Sequence, residues 1–214
     1  MTAVSERKPG EVEDRGGINL IFAGVGGQGI VLASRLVAQT ALRTGQMVRT
    51  AETIGMAQRG GSVLSHMRIG AGVASPMLPL RSAGAIVGFE PAEAVRCLPY
   101  LATDGVVVVS RRAIPPVTSS LAATGYDGSA MLAYLRRRAR RVIAVDGDAV
   151  CTAAGSPKVL NVALLGAAAA AGALGVTRDA LEATIAATLP EKLVAMNLTA
   201  LAVGARYALE EEQP

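Results

Sequence analysis

The sequence predicts an α/β fold: a mostly parallel sheet flanked by helices on both faces, with a helical segment at its C-terminal end. Three observations predict it. Short β-branched runs alternate with segments of helical periodicity as far as Val145, a glycine-rich turn joins the first such run to the first helix, and no strand pattern recurs from Pro157 onward. Residues 18–23 (INLIFA) form an apolar run that ends at Gly24, as expected of a buried strand. Residues 30–42 then carry apolar side chains at helical spacing, and Gly45 closes that helix. Residues 46–51 read as a second strand, 54–62 (IGMAQRGGS) as a glycine-rich loop, and 63–69 as a third strand with alternating polarity. Two further strands, 83–87 and 105–109, flank a helix over 90–101 that has Pro91 in its first turn. A last strand, 142–145, ends at Asp146, and from Pro157 onward two or three helices are expected, one starting near Thr177 and another spanning about 191–209. Residues 1–17, charged and containing Pro and Gly, are expected to be a disordered arm, 18–209 one domain that is helical from about 157, and 210–214 a tail. No internal repeat is present.

Composition narrows the function. The 214 residues are 51% hydrophobic and 18% charged, enough apolar surface for a buried core. Aromatics are only 3% and Trp is absent, so the core is built from small aliphatic side chains, and a platform that stacks nucleic-acid bases on rings is not expected. The two cysteines, Cys97 and Cys151, cannot supply the four thiolates of an iron–sulfur cluster, and a single histidine argues against zinc. Any redox metal is therefore expected in another chain. The net charge of +4 permits an anionic ligand without calling for nucleic acid. The uncharged run between Lys158 and Arg178 approaches the length of a membrane span, but it is mostly Ala and Gly with Asn161 inside, which suits a close-packed buried helix better. With no apolar targeting segment at the N-terminus, a cytoplasmic, membrane-free protein is expected.

The turn GVGGQG satisfies the G-x-G-x-x-G spacing with Gly24, Gly26 and Gly29, after a strand and opening a helix, which points to an anion-binding turn. There the first glycine permits the tight turn, the second lets backbone approach a phosphate, and the third lets helix and strand pack closely. The helix N-terminus adds unpaired amides and the positive end of its dipole. The acid that a dinucleotide site wants at the end of its second strand has one candidate, Glu52, set a few residues too far along. The loop from Gly55 to Ser62 places Met56, Gln58 and Arg59 between glycines, a mixture that suits a bound anion or a neighbouring subunit. His66 reads as a hydrogen-bonded strand residue. The run Arg136, Arg137, Arg138, Arg140 and Arg141 reads as a solvated helix C-terminus rather than a nucleic-acid site. No carboxylate pair, Ser/His/Asp order or Cys/His pair can be assembled, so no catalytic residue is assigned. On the glycine turn alone, a stand-alone NAD(P)-binding oxidoreductase and a Rossmann-like assembly protein both stay open.

The stretch INLIFAGVGGQGIVLASRLVAQTALRTGQMVRTAETIGMAQRGGSVLSHMRIG resembles the γ subunit or domain of 2-oxoacid:ferredoxin oxidoreductases, with the nearest likeness to the small β subunit of indolepyruvate:ferredoxin oxidoreductases. The segment 157–165 with Asn161, and Lys192, Asn197 and Gly204 further on, extend the likeness over about 17–209. The resemblance implies a Rossmann-like domain without thiamine diphosphate, magnesium or iron–sulfur clusters, which are expected in a larger partner subunit. The assembled enzyme would decarboxylate a 2-oxoacid on thiamine diphosphate, pass electrons to ferredoxin or another acceptor, and usually deliver the acyl group to coenzyme A. This chain, inactive by itself, would cover the active site and help bind coenzyme A. The residues onto which that role is carried are Gly24, Gly26, Gly27, Gln28 and Gly29, with Gln58, Arg59 and Ser62 on the second loop.

Overall fold

The structure, a computed structural model, describes residues 17–55, 60–115 and 125–210. The expected arm and tail, apart from Gly17 and Glu210, lie outside the described residues, as do Gln58 and Arg59. The elements are β1 (Ile18–Val25), α1 (Ile30–Arg43), β2 (Val48–Ile54), β3 (Ser62–Ile69), β4 (Ala83–Gly88), α2 (Pro91–Cys97), a 3-10 turn (Leu98–Tyr100), β5 (Leu101–Ser110), α3 (Ser129–Arg138), β6 (Arg141–Val145), α4 (Gly147–Ala154), α5 (Leu160–Ala170), α6 (Arg178–Thr188) and α7 (Glu191–Glu210).

The six strands form one sheet in the order β2-β3-β1-β4-β5-β6. The pairs β1–β4, β4–β5 and β5–β6 are parallel, and only β3 runs against its two neighbours, β1 and β2. Side chains alternate across the sheet as a period of two requires. Leu20, Phe22, Ile143 and Val145 enter a core shared with α1, α5, α6 and α7, while Ile21, Ala23, Val142 and Ala144 enter a second core shared with α2 and α3. The expected mostly parallel sheet between two helical layers is thus what forms.

The departures from expectation have local causes. The helix expected over 90–101 stops at Cys97 because Pro99, which has no N–H, tightens the next turn into 3-10 geometry. α4 was not foreseen, although Asp146 caps its N-terminus through Asp148 N–H and Ala149 N–H, and Gly155 ends it at φ 69°. α6 starts beside Thr177, where the sequence places a helix start, and the Thr177 side chain caps it by accepting Ala180 N–H at 3.2 Å. Every residue from Leu160 to Ala168 of α5 is buried. A Cβ added at Gly166 or Gly204 would meet the carbonyl oxygen of Leu201 or Ala163 far inside 3.0 Å, so α5 and α7 touch backbone to backbone. Among the described residues no helix is long and apolar enough to cross a membrane.

His66 is 1% exposed on β3; its Nδ1 accepts the Leu78 N–H at 3.3 Å, and its ring meets Tyr100 edge to face with centroids 5.2 Å apart. Burial pushes its pKa below the ordinary 6.5. The unfolded chain therefore takes up the proton first as pH falls, and folding stability declines as pH drops below 6.5 toward the folded pKa, with no change above it. Melting temperatures followed from about pH 8 to about pH 5.5 should show this decline in the wild type and a shallower one in His66→Gln. Equal slopes would assign the decline to other groups.

Candidate functional site

β1 sends the chain to α1 on one face of the sheet, while its neighbour β4 sends it to α2 on the other. The crevice between these two strand ends is the topological switch point, where open α/β sheets bind ligands. The glycine turn sits there. Gly29 caps α1 in the left-handed conformation, φ 77°, and a Cβ on it would lie 2.7 Å from Asn161 Nδ2. Gly24 has no room for a side chain either, since a Cβ would lie 2.6 Å from Gln28 Oε1 and 2.7 Å from Phe89 Cβ.

The side chain of Gln28 turns inward. Its Oε1 accepts Val25 N–H at 2.8 Å and its Nε2 donates to Phe89 C=O at 2.7 Å, so the amide stitches the turn to the end of β4. Gly26 N–H donates to Gly61 C=O at 2.8 Å, tying the β2–β3 loop to the same turn. Ser62, at the other end of that loop, donates from Oγ to Glu93 Oε2 at 2.7 Å, and Arg96 holds the other carboxylate oxygen at 2.6 Å. Of the residues singled out in the sequence, Gly24, Gly26, Gly27, Gln28, Gly29 and Ser62 therefore lie together, with the side chains of Gln28 and Ser62 bonded within the protein.

A cleft of about 550 Å³ opens in front of the turn, lined by Gly26, Gly27, Gly29, Arg112, Lys158 and Asn161 among others. Neither Arg112 nor Lys158 makes an ion pair with a described residue, and both are exposed. Asn161 is 3% exposed; its Nδ2 reaches Gly29 C=O at 3.4 Å, while its Oδ1 is buried without a hydrogen-bond partner. Two cations and the N-terminus of a 14-residue helix thus converge on one cavity, with Asn161 in its wall. This donor set suits an anionic group.

Glu52 is not part of this site. It pairs with Ser65 of β3, and Ser65 in turn with Phe22 of β1, so an antiparallel strand separates the acid from the glycine turn. Two strand spacings, roughly 10 Å, take it away from where a ribose hydroxyl would sit.

A family profile described as pyruvate ferredoxin/flavodoxin oxidoreductase matches residues 19–207, nearly all of the described chain. The chain belongs to this oxidoreductase family. It is 36% identical over 193 residues to the indolepyruvate oxidoreductase subunit IorB of Archaeoglobus fulgidus, covering 90% of this chain and 96% of that protein. Its fold is shared with the γ subunit of a keto/oxoacid ferredoxin oxidoreductase from Geobacter sulfurreducens (TM-score 0.66, 22% identity, 90% of this chain and 99% of that one). It is also shared with 31% of the longer 2-oxoglutarate:ferredoxin oxidoreductase chain of Magnetococcus marinus, a structure with 2-oxoglutarate, coenzyme A and succinyl-CoA bound (TM-score 0.65, 16% identity, 91% of this chain). The γ-type resemblance read from the motifs is borne out.

In this family member the sequence reading missed a buried acidic cluster beside the cleft. Glu90 and Glu93, 2% and 6% exposed, lie at the start of α2, where Glu90 Oε2 caps the helix by accepting Ala92 N–H and Glu93 N–H. Tyr126 donates to Glu90 Oε1, and burial together with that bond raises the tyrosine pKa well above its ordinary value. The spacing of two acids three apart after a strand was visible; their burial was not. Cys97, at the end of the same helix, has its thiol pushed up to about 12 by burial and the Glu93 carboxylate, so it is no nucleophile at neutral pH.

Proposed function

We propose that this chain is the small subunit of a thiamine-dependent, indolepyruvate-type 2-oxoacid:ferredoxin oxidoreductase, and that its glycine-turn cleft holds the phosphate-bearing end of coenzyme A. The observation that carries the reading is correspondence over nearly the full described length, not just the glycine turn, with a subunit of an indolepyruvate oxidoreductase. In the proposed complex, which works in the cytoplasm, a larger subunit supplies thiamine diphosphate, magnesium and iron–sulfur clusters, and ferredoxin takes the electrons. This chain contributes binding and enclosure: Arg112 and Lys158 face the phosphates, and the first amides of α1 add donors. Gln28, Ser62 and Glu93 hold the two loops in place around the cleft. Gln58 and Arg59 are proposed as further contacts from the second loop.

Co-expression with the candidate large subunit tests the assembly. The two chains are expected to co-purify and to reduce an artificial electron acceptor in a 2-oxoacid-dependent manner, while this chain by itself is inactive. Failure to co-purify or to raise the rate would overturn the subunit reading. Oxidation of a substrate by this chain with NAD alone would replace it with a stand-alone dehydrogenase.

A further inference from the structure

A second basic concavity lies on the opposite helical layer and plays no part in the cofactor site. This cleft, of about 590 Å³, opens between α2, the 3-10 turn, the start of β5 and α3; Arg81, Arg137, Arg138 and Tyr134 surround a floor that includes Val95 and Leu98. The guanidinium carbons of Arg137 and Arg138 stand 5.9 and 5.6 Å from the centroid of the Tyr134 ring, which holds them beside an aromatic face that is itself 37% exposed. None of the three arginines makes an ion pair with a described residue, and no carboxylate lines the cleft.

Arg81 adds an independent observation. Among the described residues it is the only one other than glycine with positive φ, 60°, and its N–H is pinned to Pro99 C=O at 3.0 Å. A left-handed arginine is disfavoured and persists where its surroundings impose it, a situation concentrated at ligand sites. Here it sets a third cation on the rim of the cleft. The C-terminus of α3 contributes about half a negative charge, which leaves the three guanidiniums strongly uncompensated. A single carboxylate balances only part of that charge, whereas a diphosphate or triphosphate chain balances it and matches the forked donors of arginine. The cavity has the volume of a small-molecule site, and apolar side chains such as Val95 and Leu98 line it beside the arginines.

We propose that this cleft binds a small polyphosphate of the di- or triphosphate class, free or as the phosphate chain of a nucleotide. The test is isothermal titration of the full chain, at low and high salt, with tripolyphosphate and with ADP, alongside a hexaglutamate peptide and a generic DNA duplex. Arg137→Gln with Arg138→Gln, both exposed helical positions, should weaken tripolyphosphate binding at this site at least tenfold. Arg81→Gly removes the third cation while accepting the backbone angle, so it keeps the turn folded, and it should weaken binding several-fold. Arg112→Gln with Lys158→Gln, in the other cleft, should leave this site unchanged. ADP binding at least as tight as tripolyphosphate supports a nucleotide as the source, and weaker arginine-dependent binding supports a free polyphosphate. With the other cleft silenced by Arg112→Gln and Lys158→Gln, the proposal is overturned if no phosphate probe binds, if binding survives the added Arg137→Gln and Arg138→Gln changes, or if hexaglutamate or duplex binds more tightly.

Discussion

Gly204→Ala is expected to lower the melting temperature by about 4–8 °C, although the same change on an exposed helix would raise it. Alanine gains about 1 kcal/mol of helix propensity over glycine in a helix interior. At Gly204 the new methyl would enter the space of Ala163 C=O on α5, well inside 3.0 Å, and a backbone oxygen has no rotamer with which to move aside. The two helices must separate, and both are buried at the contact. Overpacking of this kind costs about 3 kcal/mol, which leaves about 2 kcal/mol of net loss after the propensity gain, and for a chain of this length each kcal/mol is about 2–4 °C. Gly166→Ala should act alike, because its methyl would meet Leu201 C=O from the opposite side. Thermal unfolding of the purified chain decides the sign. A melting temperature at or above that of the wild type would mean that α5 and α7 lie further apart than the structure has them.

The second large effect is functional and leaves folding alone. Reversing both cations of the glycine-turn cleft, Arg112→Glu with Lys158→Glu, should weaken coenzyme A binding by the co-purified complex more than a hundredfold. Each charge-assisted hydrogen bond to phosphate contributes about 1.5–3 kcal/mol, and losing two reaches about 3 kcal/mol before repulsion is added. Both side chains are exposed and without ion pairs to described residues, so the melting temperature should move little. Isothermal titration of wild type and variant measures the difference. Binding within threefold of wild type, with the complex intact, would remove the cofactor from this cleft while leaving the subunit assignment standing. The neutral pair Arg112→Gln with Lys158→Gln should fall between the two, since it removes attraction without adding repulsion.

What the sequence by itself determined is what local spacing encodes. The alternation of short β-branched runs with helical periodicity, the glycine turn between Val25 and Ile30, the helix start near Thr177 and the aliphatic, aromatic-poor core are statements about neighbours along the chain, and all are present in the fold. The sheet order was decided only in three dimensions. A strand's partners are set by which edges bury their backbone donors and acceptors together, so nothing in the local pattern of Val63 to Ile69 says that this strand inserts between β1 and β2. That insertion moves Glu52 away from the glycine turn and so decides against an arrangement that the spacing alone left open. Likewise Arg112 and Lys158, 46 residues apart in the chain, meet at one cleft because the end of β5 and the start of α5 both come to the glycine turn, and Gln28 faces inward because Phe89 C=O lies within its reach. Periodicity specifies which face of an element is apolar; which charges converge at its end depends on long-range packing that no window of sequence contains.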